Sequence, residues 1–473
     1  MKSIGLFLAC SLFVLSNIAQ TAGVDPVIME INNKKVLKSD FEQIFWKNKK
    51  EDVTNKEELD EYLELFVKFK LKVEAALEQG LDTTKKFKDE FRGYEIQLQK
   101  PYLADTTVNE ELIKEAYDRT VNELRASHLL LLVAEDAAPV DTAAAYKRII
   151  SIRNDILKGK LTFEEAAVKY SEDKSVVSNK GDLGFFSAFR MVYPFEDAAY
   201  KTNIGDVSMP FRTQFGYHLV APKETRKSRG KVKVAHIMVR IKKDASEADI
   251  ENAKKKIDEI YTKAKAGEDF ATLVRDFSDD RNSVRKNGEL DWVEAGRYFQ
   301  EFEDAAFQLK ADNEISAPVQ TPAGWHILKR IEFKPVDNLS VLRNELKNKV
   351  QKDALRTQRT KSSFINKLKA EYAFMETKKN YDFLLKNLDN TITSNEWQAS
   401  KVVNLKSELF SFAGNSFSQY DFAKFLEETQ GYTPNYTQDE FVKKQYDRYV
   451  NAKLIEFEKT QLAKKYPQYK SLL

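Results

Sequence analysis

The chain has 473 residues, 42% of them hydrophobic, so it is long enough for several domains and apolar enough for real cores. Its 76 lysine and arginine residues nearly balance 73 aspartate and glutamate residues, which argues against a general nucleic-acid binder. This composition excludes a disordered chain, and the charges are expected to lie on solvated helix faces.

Residues 1–22 have the pattern of a secretory signal peptide. A short apolar run at 4–15 precedes Ala19 and Ala22, small residues suited to cleavage. The run is too short to span a bilayer, so a retained anchor is the weaker alternative. Too few apolar residues precede Cys10, the single cysteine, for a lipoprotein, and we expect it to leave with the signal. A mature chain without thiols suits an oxidising compartment.

Residues 23–122 are predicted to form a helical domain entered by a β-hairpin. Alternating apolar residues at 27–31 and 35–37 flank a turn at Asn32 and Asn33. Three capping boxes predict helix starts: Ser39 with Glu42, Thr54 with Glu57, and Thr107 with Glu110. Five residues share one face of the second helix, which is expected to be buried: Leu59, Leu63, Phe66, Val67 and Leu71.

A stretch of roughly 100 residues then occurs twice, which is a whole domain and too long for a solenoid unit. Ala126-Ser127-His128-Leu129-Leu130 recurs as Val234-Ala235-His236-Ile237-Met238, and Phe215-Gly216-Tyr217-His218-Leu219 recurs as Ala323-Gly324-Trp325-His326-Ile327. Each copy is expected to fold around its own core.

All four histidines of the chain lie at the ends of these copies: His128, His218, His236 and His326. Both members of each pair lie in short apolar runs typical of buried strands. A buried imidazole needs a partner for each nitrogen, and a second imidazole can be one. The spacing within a pair is not that of metal ligands, so we expect no metal.

At these residues the sequence resembles the parvulin-type peptidyl-prolyl isomerases. Besides the paired histidines, the resemblance rests on the turn Gly181-Asp182-Leu183-Gly184 and the helix start Pro194-Phe195-Glu196-Asp197-Ala198-Ala199. Two such domains inside a secreted helical chain are similar to the SurA-like family of periplasmic chaperones. The implied fold is multidomain: an all-α chaperone module with an entry hairpin, and two α+β domains, each with an antiparallel sheet of about four strands covered by helices.

The implied domains follow the signal peptide in order. They are an N-terminal helical domain (23–122), the first parvulin-like domain (123–226), the second (231–334), and a C-terminal helical domain (335–473).

The resemblance also implies a site in the first copy. His128 and His218 match the buried pair, Asp173 matches the acidic position facing the rotating bond, and Thr213 matches a hydroxyl within the same network. The proline slot corresponds to Leu183, Met191 and Phe195. A flexible thioether beside an aromatic ring suits a pyrrolidine. The alternative is that the histidine pair only locks the sheet and leaves Asp173 as the sole polar group near the substrate.

The second copy keeps most of these residues: His236, Asp280, His326, Leu290, Phe302 and Thr321. Tyr298 stands where Met191 would align, and Leu290-Asp291-Trp292 replaces Leu183-Gly184-Phe185. A stiffer side chain in the slot and a charge in the turn weaken the case for turnover. We expect the first copy to be the better isomerase and the second to be weak or only peptide-binding.

The joint between the copies, residues 223–233, carries six lysines and arginines and no apolar periodicity. We interpret it as a mobile, solvated hinge and not as a nucleic-acid patch.

The C-terminal region is helical again and resembles the N-terminal unit. Leu409 to Phe422 aligns without a gap on Ile28 to Phe41, and the capping box Thr437 with Glu440 matches Thr54 with Glu57. We expect a second hairpin-helix-helix unit that packs with the first as one chaperone module.

By resemblance, the function is peptidyl-prolyl cis-trans isomerisation, without cofactor, combined with holding unfolded secreted or outer-membrane polypeptides in the periplasm. The partners are chains with Xaa-Pro bonds, and nucleic acid and membrane insertion of the mature protein are not expected. One alternative is a holdase chaperone with little or no turnover, and a weaker one is a scaffold for a single envelope partner. No cluster of basic residues lies beside Met191, so the sequence does not indicate selectivity for phosphorylated substrates.

Overall fold

The structure is a computed structural model, and it divides into two compact units. The described residues are 25–48, 55–135, 137–242, 244–433 and 436–472. The first unit comprises residues 1–102 with 459–473, and the second comprises 103–458. The predicted signal peptide and Thr54 lie outside the described residues. Within those ranges, no helix is both long enough and apolar enough to cross a bilayer.

The first unit begins with a hairpin that continues into helices. Its elements are β1 (Val27–Ile31), β2 (Lys34–Leu37), α1 (Lys38–Asn48), α2 (Lys56–Glu78) and α3 (Lys85–Gln99). Asn32 and Asn33 both have positive φ (50° and 61°), the conformation that a two-residue hairpin turn requires. The predicted hairpin is therefore built as expected.

The helix starts of the first unit differ from the predicted capping boxes. Helix α1 begins at Lys38, so Ser39 lies inside it, and the Ser39 hydroxyl bonds Asp25 instead. The start of α2 is capped by Asn55, whose side chain accepts from the backbone N–H of Glu58. Several short polar side chains near a helix start could serve as its N-cap, and the one that does so is the residue with extended backbone at the boundary.

The predicted buried face of α2 is mostly exposed. Of its five residues only Phe66 is buried, and it packs with Val36, Phe41 and Phe45. Leu71 on the same helix is 51% exposed. The described part of this unit therefore has a small core and leaves much apolar surface uncovered.

The second unit holds both repeats and the C-terminal region as far as Glu458. Its first half contains α4 (Thr106–Val121), β3 (Asn122–Leu132), α5 (Pro139–Leu157), α6 (Phe163–Tyr170), α7 (Val176–Asn179), β4 (Asp182–Phe186), α8 (Tyr193–Lys201), β5 (Phe211–Thr213) and β6 (Gly216–Lys227). The second repeat contains β7 (Lys231–Arg240), α9 (Glu247–Lys265), α10 (Phe270–Phe277), α11 (Arg281–Val284), α12 (Gln300–Gln308), β8 (Val319–Thr321) and β9 (Gly324–Lys334).

The C-terminal region follows. It contains α13 (Leu339–Lys352), α14 (Ala354–Glu371), β10 (Met375–Glu376), α15 (Lys378–Lys386), β11 (Glu408–Phe412), β12 (Asn415–Ser418), α16 (Gln419–Thr429) and α17 (Gln438–Lys465). The last helix, α18 (Pro467–Leu472), belongs to the first unit.

Helix α4 belongs to the second unit, although the sequence placed it in the N-terminal domain. It packs against α13, with Leu112 and Ile113 meeting Leu346 and Val350 in one core. Its cap is Asp105, which accepts from the backbone N–H groups of the first turn, and not Thr107. The first repeat is therefore framed by helices from both sides of it in sequence.

The sheet of the first repeat has four antiparallel strands in the order β4-β3-β6-β5. The long central strands β3 and β6 pair along their whole length, with His128 opposite Val220 and His218 opposite Leu130. Residues two apart in a strand share a face, so both histidines point to the same side of the sheet.

The second repeat has three strands in the order β7-β9-β8. Two isolated bridges, Val232 with Val293 and Ala235 with Glu289, stand where the first repeat has its fourth strand. The histidines keep their register, with His236 opposite Leu328 and His326 opposite Met238. The α+β fold predicted for each copy is confirmed.

The joint between the repeats is not the solvated hinge that we predicted. Strand β6 extends to Lys227 and β7 begins at Lys231. Arg226 bonds Glu123 and lies 3.7 Å from the ring centroid of Phe185, while Arg229 bonds Asp304. These arginines are docked on the two repeats because carboxylates and aromatic faces are available there.

The C-terminal region builds the hairpin and two helices that the sequence predicted. Strands β11 and β12 meet at a turn where Ala413 and Gly414 have positive φ, as in the first hairpin. Helix α16 starts with the capping box Ser418 with Asp421, and α17 with Thr437 and Glu440. An aromatic-rich core stabilises the C-terminal region, and it includes Phe410, Phe422, Tyr446 and Tyr449.

Candidate functional site

The site of the first repeat centres on His128 and His218 in the two central strands. Both side chains are buried, with 7% and 4% of their surface exposed. Their ring centroids lie 6.1 Å apart and the rings are nearly parallel, at 22°. The sheet register fixes this separation because the residues are diagonal neighbours on paired strands.

Asp173 holds the outer nitrogen of the first histidine. It follows α6, and its Oδ2 atom lies 2.7 Å from His128 Nε2. Its Oδ1 atom accepts from the backbone N–H of Ser175 at 2.9 Å. Burial alone would raise the pKa of Asp173, but the Ser175 N–H and the neighbouring imidazole outweigh it and lower that pKa. The carboxylate is therefore ionised, and His128 Nε2 must donate to it.

Thr213 and an aromatic ring complete the group. The Thr213 hydroxyl lies 2.8 Å from His218 Nε2. The Phe195 ring meets both imidazoles edge-on, at centroid distances of 5.7 Å from His128 and 5.6 Å from His218. Leu183 and Met191 are partly buried against the same cluster. All seven residues that the sequence singled out in this copy are thus brought together.

Phe211 is a neighbour that the sequence analysis missed. Its ring stacks on His218 at 5.4 Å and meets Phe195 edge-on at 5.6 Å. It lies in β5, two residues before Thr213. The corresponding strand of the second repeat begins with Val319, so comparison of the two copies gave no signal for an aromatic ring here.

The second repeat reproduces the network at nearly the same distances. His236 Nε2 lies 2.8 Å from Asp280 Oδ2, and His326 Nε2 lies 2.9 Å from the Thr321 hydroxyl. Phe302 meets both imidazoles edge-on. The Ser283 hydroxyl is an additional group, 3.1 Å from His236 Nε2, that the sequence did not indicate.

The two networks differ at their centre. In the second repeat the Nδ1 atoms of His236 and His326 are 3.4 Å apart and form a hydrogen bond. In the first repeat the Nδ1 atoms of His128 and His218 are buried and have no hydrogen-bond partner among the described residues. The second network is continuous and the first is interrupted.

Because the hydrogen bonds of the second network form an unbroken chain, they determine which atom carries each proton. Burial alone would raise the pKa of Asp280, but the hydrogen bonds from Ser283 and His236 outweigh it and lower that pKa. The ionised carboxylate therefore accepts the hydrogen bond from His236. His236 then donates from Nε2 and accepts at Nδ1, which requires a proton on His326 Nδ1. His326 Nε2 must in turn accept from the Thr321 hydroxyl.

All four imidazoles are neutral near pH 7. Burial lowers the pKa of His218 and of His326 to about 3, and the adjacent histidine adds to the effect. Burial also lowers the pKa of His128 and of His236, against the opposing pull of their aspartates. Neutral and buried imidazoles are poorly suited to proton exchange with bulk solvent, and well suited to holding a polar wall in a fixed geometry.

The slots beside the networks are filled differently. Tyr298 stacks on Phe302 at 5.1 Å and 22°, and its hydroxyl bonds the backbone oxygen of Asp291. The carboxylate of Asp291 is largely exposed and pairs with Arg297, so it does not enter the slot. Leu290 packs partly buried in the same cluster. In the first repeat, Met191 aligns with Tyr298, and no aromatic ring among the described residues stacks face to face on the equivalent Phe195.

Among the described residues, no cluster of three or more histidine, cysteine, aspartate or glutamate side chains is arranged to hold a metal ion.

The family described as "Rotamase: PPIC-type PPIASE domain" matches residues 128–224 and 236–332, so each match spans one of the two networks. The chain is also similar to curated proteins named Chaperone SurA. The protein from Methylococcus capsulatus is 32% identical over 235 residues, covering 49% of this chain and 50% of that one. The protein from Hahella chejuensis is 35% identical over 226 residues, covering 47% and 51%. This chain thus spans about half the length of the curated relatives it matches.

Among solved structures, the peptidylprolyl isomerase PrsA from Bacillus anthracis is 30% identical. That match covers 29% of this chain and 59% of PrsA, with a TM-score of 0.20.

Proposed function

This chain is SurA-like and carries two PPIC-type domains, and from that premise we propose that it is a peptidyl-prolyl cis-trans isomerase and chaperone. Its substrates are unfolded secreted or outer-membrane polypeptides with Xaa-Pro bonds, and its place of action is the periplasm. The observation that carries the proposal is the network of two histidines, an aspartate and a threonine around a buried phenylalanine, built twice with matching distances.

The chemistry required is modest but specific. Rotation of an Xaa-Pro bond crosses a barrier of about 18–20 kcal/mol because amide resonance is lost. No covalent intermediate is needed, since a site that binds the twisted amide more tightly than the planar forms lowers the barrier. Each 1.4 kcal/mol of that preference gives about tenfold in rate.

In the first domain, we assign the roles as follows. Phe195, Met191 and Leu183 receive the proline ring and exclude water from the amide. The carboxylate of Asp173 faces the rotating bond, and 27% of its side chain is exposed and thus accessible to a bound peptide. His128, His218 and Thr213 hold that carboxylate and Phe195 in place, which is the preorganisation that such a site requires.

The first domain is proposed to be the more active one. In the second, the residues in the same roles are His236, Asp280, His326 and Thr321, with Leu290, Tyr298 and Phe302 at the slot. The stacked Tyr298 ring covers the face of Phe302 that would meet a proline ring. Its slot therefore offers less room, and weak turnover or simple peptide binding is expected there.

A second candidate function, that of a holdase with little turnover, is favoured by the exposed apolar side chains of the first unit. On α2 and α3, several large apolar residues are more than half exposed: Leu65, Phe69, Leu71 and Tyr94. Contiguous exposed apolar surface commonly marks a site for protein binding. Such a surface suits client segments that expose alternating aromatic and apolar residues.

The domain division is part of this proposal. Residues 23–122 and 335–473 would supply the chaperone module, with 123–226 and 231–334 as the isomerase domains. The hairpin-helix-helix order of the two helical regions supports a common origin for them. Crosslinks between residues 25–80 and 405–465 of the full chain would support a single module, and crosslinks confined within each region would count against it.

The decisive experiment measures cis-to-trans exchange of short Xaa-Pro peptides by the full chain with one site altered at a time. Asp173→Ala and Met191→Ala are expected to remove most of the acceleration, whereas Asp280→Ala and Tyr298→Ala, the matched changes in the second domain, should remove little. Suppression of aggregation of unrelated unfolded proteins is measured on the same variants. If neither the parent nor any variant accelerates exchange, the isomerase is rejected, and retained suppression of aggregation would then favour the holdase. Acceleration that none of the four changes alters would reject these residues as the site.

A further inference from the structure

The most completely buried ion pair of the described chain lies directly behind the proposed slot of the first domain. Glu196 follows Phe195 on α8, and its side chain has no exposed surface. One oxygen, Oε1, accepts from Arg119 Nη1 at 3.0 Å and from Arg356 Nη2. Arg356 is also fully buried and belongs to α14, outside both segments that match the PPIC-type family.

The other oxygen of Glu196 fixes the loop that carries Met191. Its Oε2 atom accepts from the backbone N–H of Phe189 at 2.8 Å. Phe189 has a φ of 64°, a conformation that residues other than glycine rarely adopt without support. The support comes from this hydrogen bond and from Arg356, whose guanidinium lies 4.3 Å from the Phe189 ring centroid.

Arg356 also packs against the start of α8. Its guanidinium lies 4.4 Å from the ring centroid of Tyr193, two residues before Phe195. The planar guanidinium thus contacts the loop through Phe189, the helix through Tyr193 and the carboxylate of Glu196 at once. Lysine cannot replace these contacts, because an ammonium has neither the flat face nor the fork of donors.

The second domain is an internal comparison. Glu303 occupies the position of Glu196 and accepts from the backbone N–H groups of Arg297 and Tyr298 at 2.9 and 3.0 Å. Its nearest cation among the described residues is Arg229, 4.0 Å away, and Arg229 bonds Asp304 instead. In both domains, therefore, the glutamate accepts hydrogen bonds from the backbone of the loop before its helix. The buried arginine from α14 is present only in the first domain.

We propose that Arg356, and Arg119 beside it, are positioning residues for the isomerase site of the first domain. They hold the Phe189 to Met191 loop and Phe195 in register through Glu196, so that the helices framing the domain set the width of its proline slot. This inference rests on the proposed function. It predicts that the slot is altered when α14 loses this one side chain, even though α14 lies outside both segments that match the PPIC-type family.

The test uses the full chain in an Asp280→Ala background, which leaves the first site as the source of turnover. Arg356→Gln is expected to raise KM for an Xaa-Pro peptide by about tenfold with kcat within about twofold, because the slot changes shape while Asp173 stays in place. Arg356→Lys retains the charge and should give an intermediate KM, and it carries the test if the glutamine variant does not fold. Lys361→Gln, an exposed change on the same helix, should leave KM unchanged.

A second readout separates this inference from the proposed function. The chain has six methionines, so the methyl resonance of Met191 can be resolved and assigned with Met191→Leu. The inference expects that resonance to shift in Arg356→Gln while that of Met238, in β7 of the second domain, does not move. If no variant or parent isomerises the peptide, the proposed activity fails and the Met191 shift alone decides. An unchanged KM in an active enzyme, or an unshifted Met191 resonance, overturns the inference.

Discussion

The Nδ1 atom of His326 lies 3.4 Å from the Nδ1 atom of His236, which closes a chain from the Thr321 hydroxyl to the Asp280 carboxylate. Each link of that chain admits one direction of donation. The equivalent nitrogens of His128 and His218 are buried without a partner among the described residues, so the first domain has no such constraint at its centre.

This difference predicts two NMR signatures. His236 should carry its proton on Nε2 and His326 on Nδ1, and nitrogen shifts of the labelled imidazoles report these tautomers directly. Thr321→Val removes the donor at the end of the chain, so His326 Nε2 loses its hydrogen bond and its shift should move. Thr213→Val is the matched change in the first domain and should leave His326 unaffected. A His326 protonated on Nε2 in the parent protein would contradict the assignment.

The same burial predicts how activity and stability depend on pH. Since the pKa of His218 is about 3, the folded imidazole stays neutral from pH 5.5 to 8, and the isomerisation rate should be flat across that range. The unfolded histidine has a pKa near 6.5, so the unfolded state binds more protons between about pH 3 and 6.5. The contribution of His218 to stability is therefore fully present above pH 6.5 and is lost as the pH is lowered through that window.

Thermal unfolding at pH 7 and pH 5 checks this sign. The parent protein should unfold at a lower temperature at pH 5, and His218→Gln should lessen that pH dependence by about 1 kcal/mol per pH unit. A pH dependence of unfolding that His218→Gln leaves unchanged, or a bell-shaped rate profile centred near pH 6.5, would show that the imidazole titrates near its ordinary pKa in the folded state.

Glu303 predicts the opposite pH dependence for the second domain. Burial raises the pKa of Glu303 to about 7, only partly offset by the backbone N–H groups of Tyr298 and Arg297 and by Arg229. Its folded pKa exceeds the value of 4.5 for an exposed glutamate, so the folded state binds more protons between pH 4.5 and 7. The contribution of Glu303 to folding stability is therefore present at low pH and lost as the pH rises through 7.

Glu303→Gln should stabilise the protein at pH 8 relative to the parent by about 1–3 kcal/mol, because the amide keeps an acceptor oxygen and carries no charge. At pH 5 the two proteins should differ little. Glu301→Gln, an exposed change at the start of the same helix, is the control and should give no pH-dependent difference. Equal effects of Glu303→Gln at both pH values would refute the raised pKa.

Reciprocal substitutions at the two proline slots test why the two domains should differ in turnover. Tyr298→Met removes the ring stacked on Phe302 and should raise exchange by the second domain by about tenfold, measured in an Asp173→Ala background. Met191→Tyr should lower exchange by the first domain by a similar factor in an Asp280→Ala background. If Tyr298→Met leaves the second domain inactive, the obstacle lies elsewhere in that domain.

The repeat singled out the four histidines, because they are the only ones in the chain and lie at matching positions of both copies, and the apolar runs around them predicted buried strands. The places of Asp173 and Thr213 in the network followed from the resemblance to the parvulin-type isomerases. The charges behind the slot were missed. Arg356 and Glu196 are 160 residues apart, and in sequence each is one more charge on an amphipathic helix. Pairing over that separation depends on how α14 packs, which local patterns do not encode.

The joint between the repeats differs from its prediction for a related reason. The absence of apolar periodicity in this segment predicts solvated arginines. An arginine that stacks on an aromatic ring gives no periodic signal, since its partner is elsewhere in the chain. Arg226 on Phe185 is such a case. The same limit applies to α2, where a regular apolar stripe predicted burial and only Phe66 became buried.

Contact between the two PPIC-type domains gives a final prediction, because a glycine of the second meets the sheet of the first. Gly296 has a φ of 77°, and its carbonyl accepts from Arg190 Nη2 at 2.8 Å. A Cβ at this position would lie 3.1 Å from the backbone oxygen of Phe185 and from the Cβ of Phe186. Gly296→Ala therefore introduces backbone strain together with tight contacts to strand β4 of the first domain.

The matched control is Gly267→Ala. Gly267 has a φ of 95°, and no atom lies within 4 Å of where its Cβ would stand, so that variant carries the strain alone. Strain of this kind costs about 1–3 kcal/mol. Thermal unfolding should show a larger loss for Gly296→Ala than for Gly267→Ala, and hydrogen exchange at Phe185 and Phe186 should quicken only in the former. Equal losses with unchanged exchange would mean that the two domains do not hold this contact in solution.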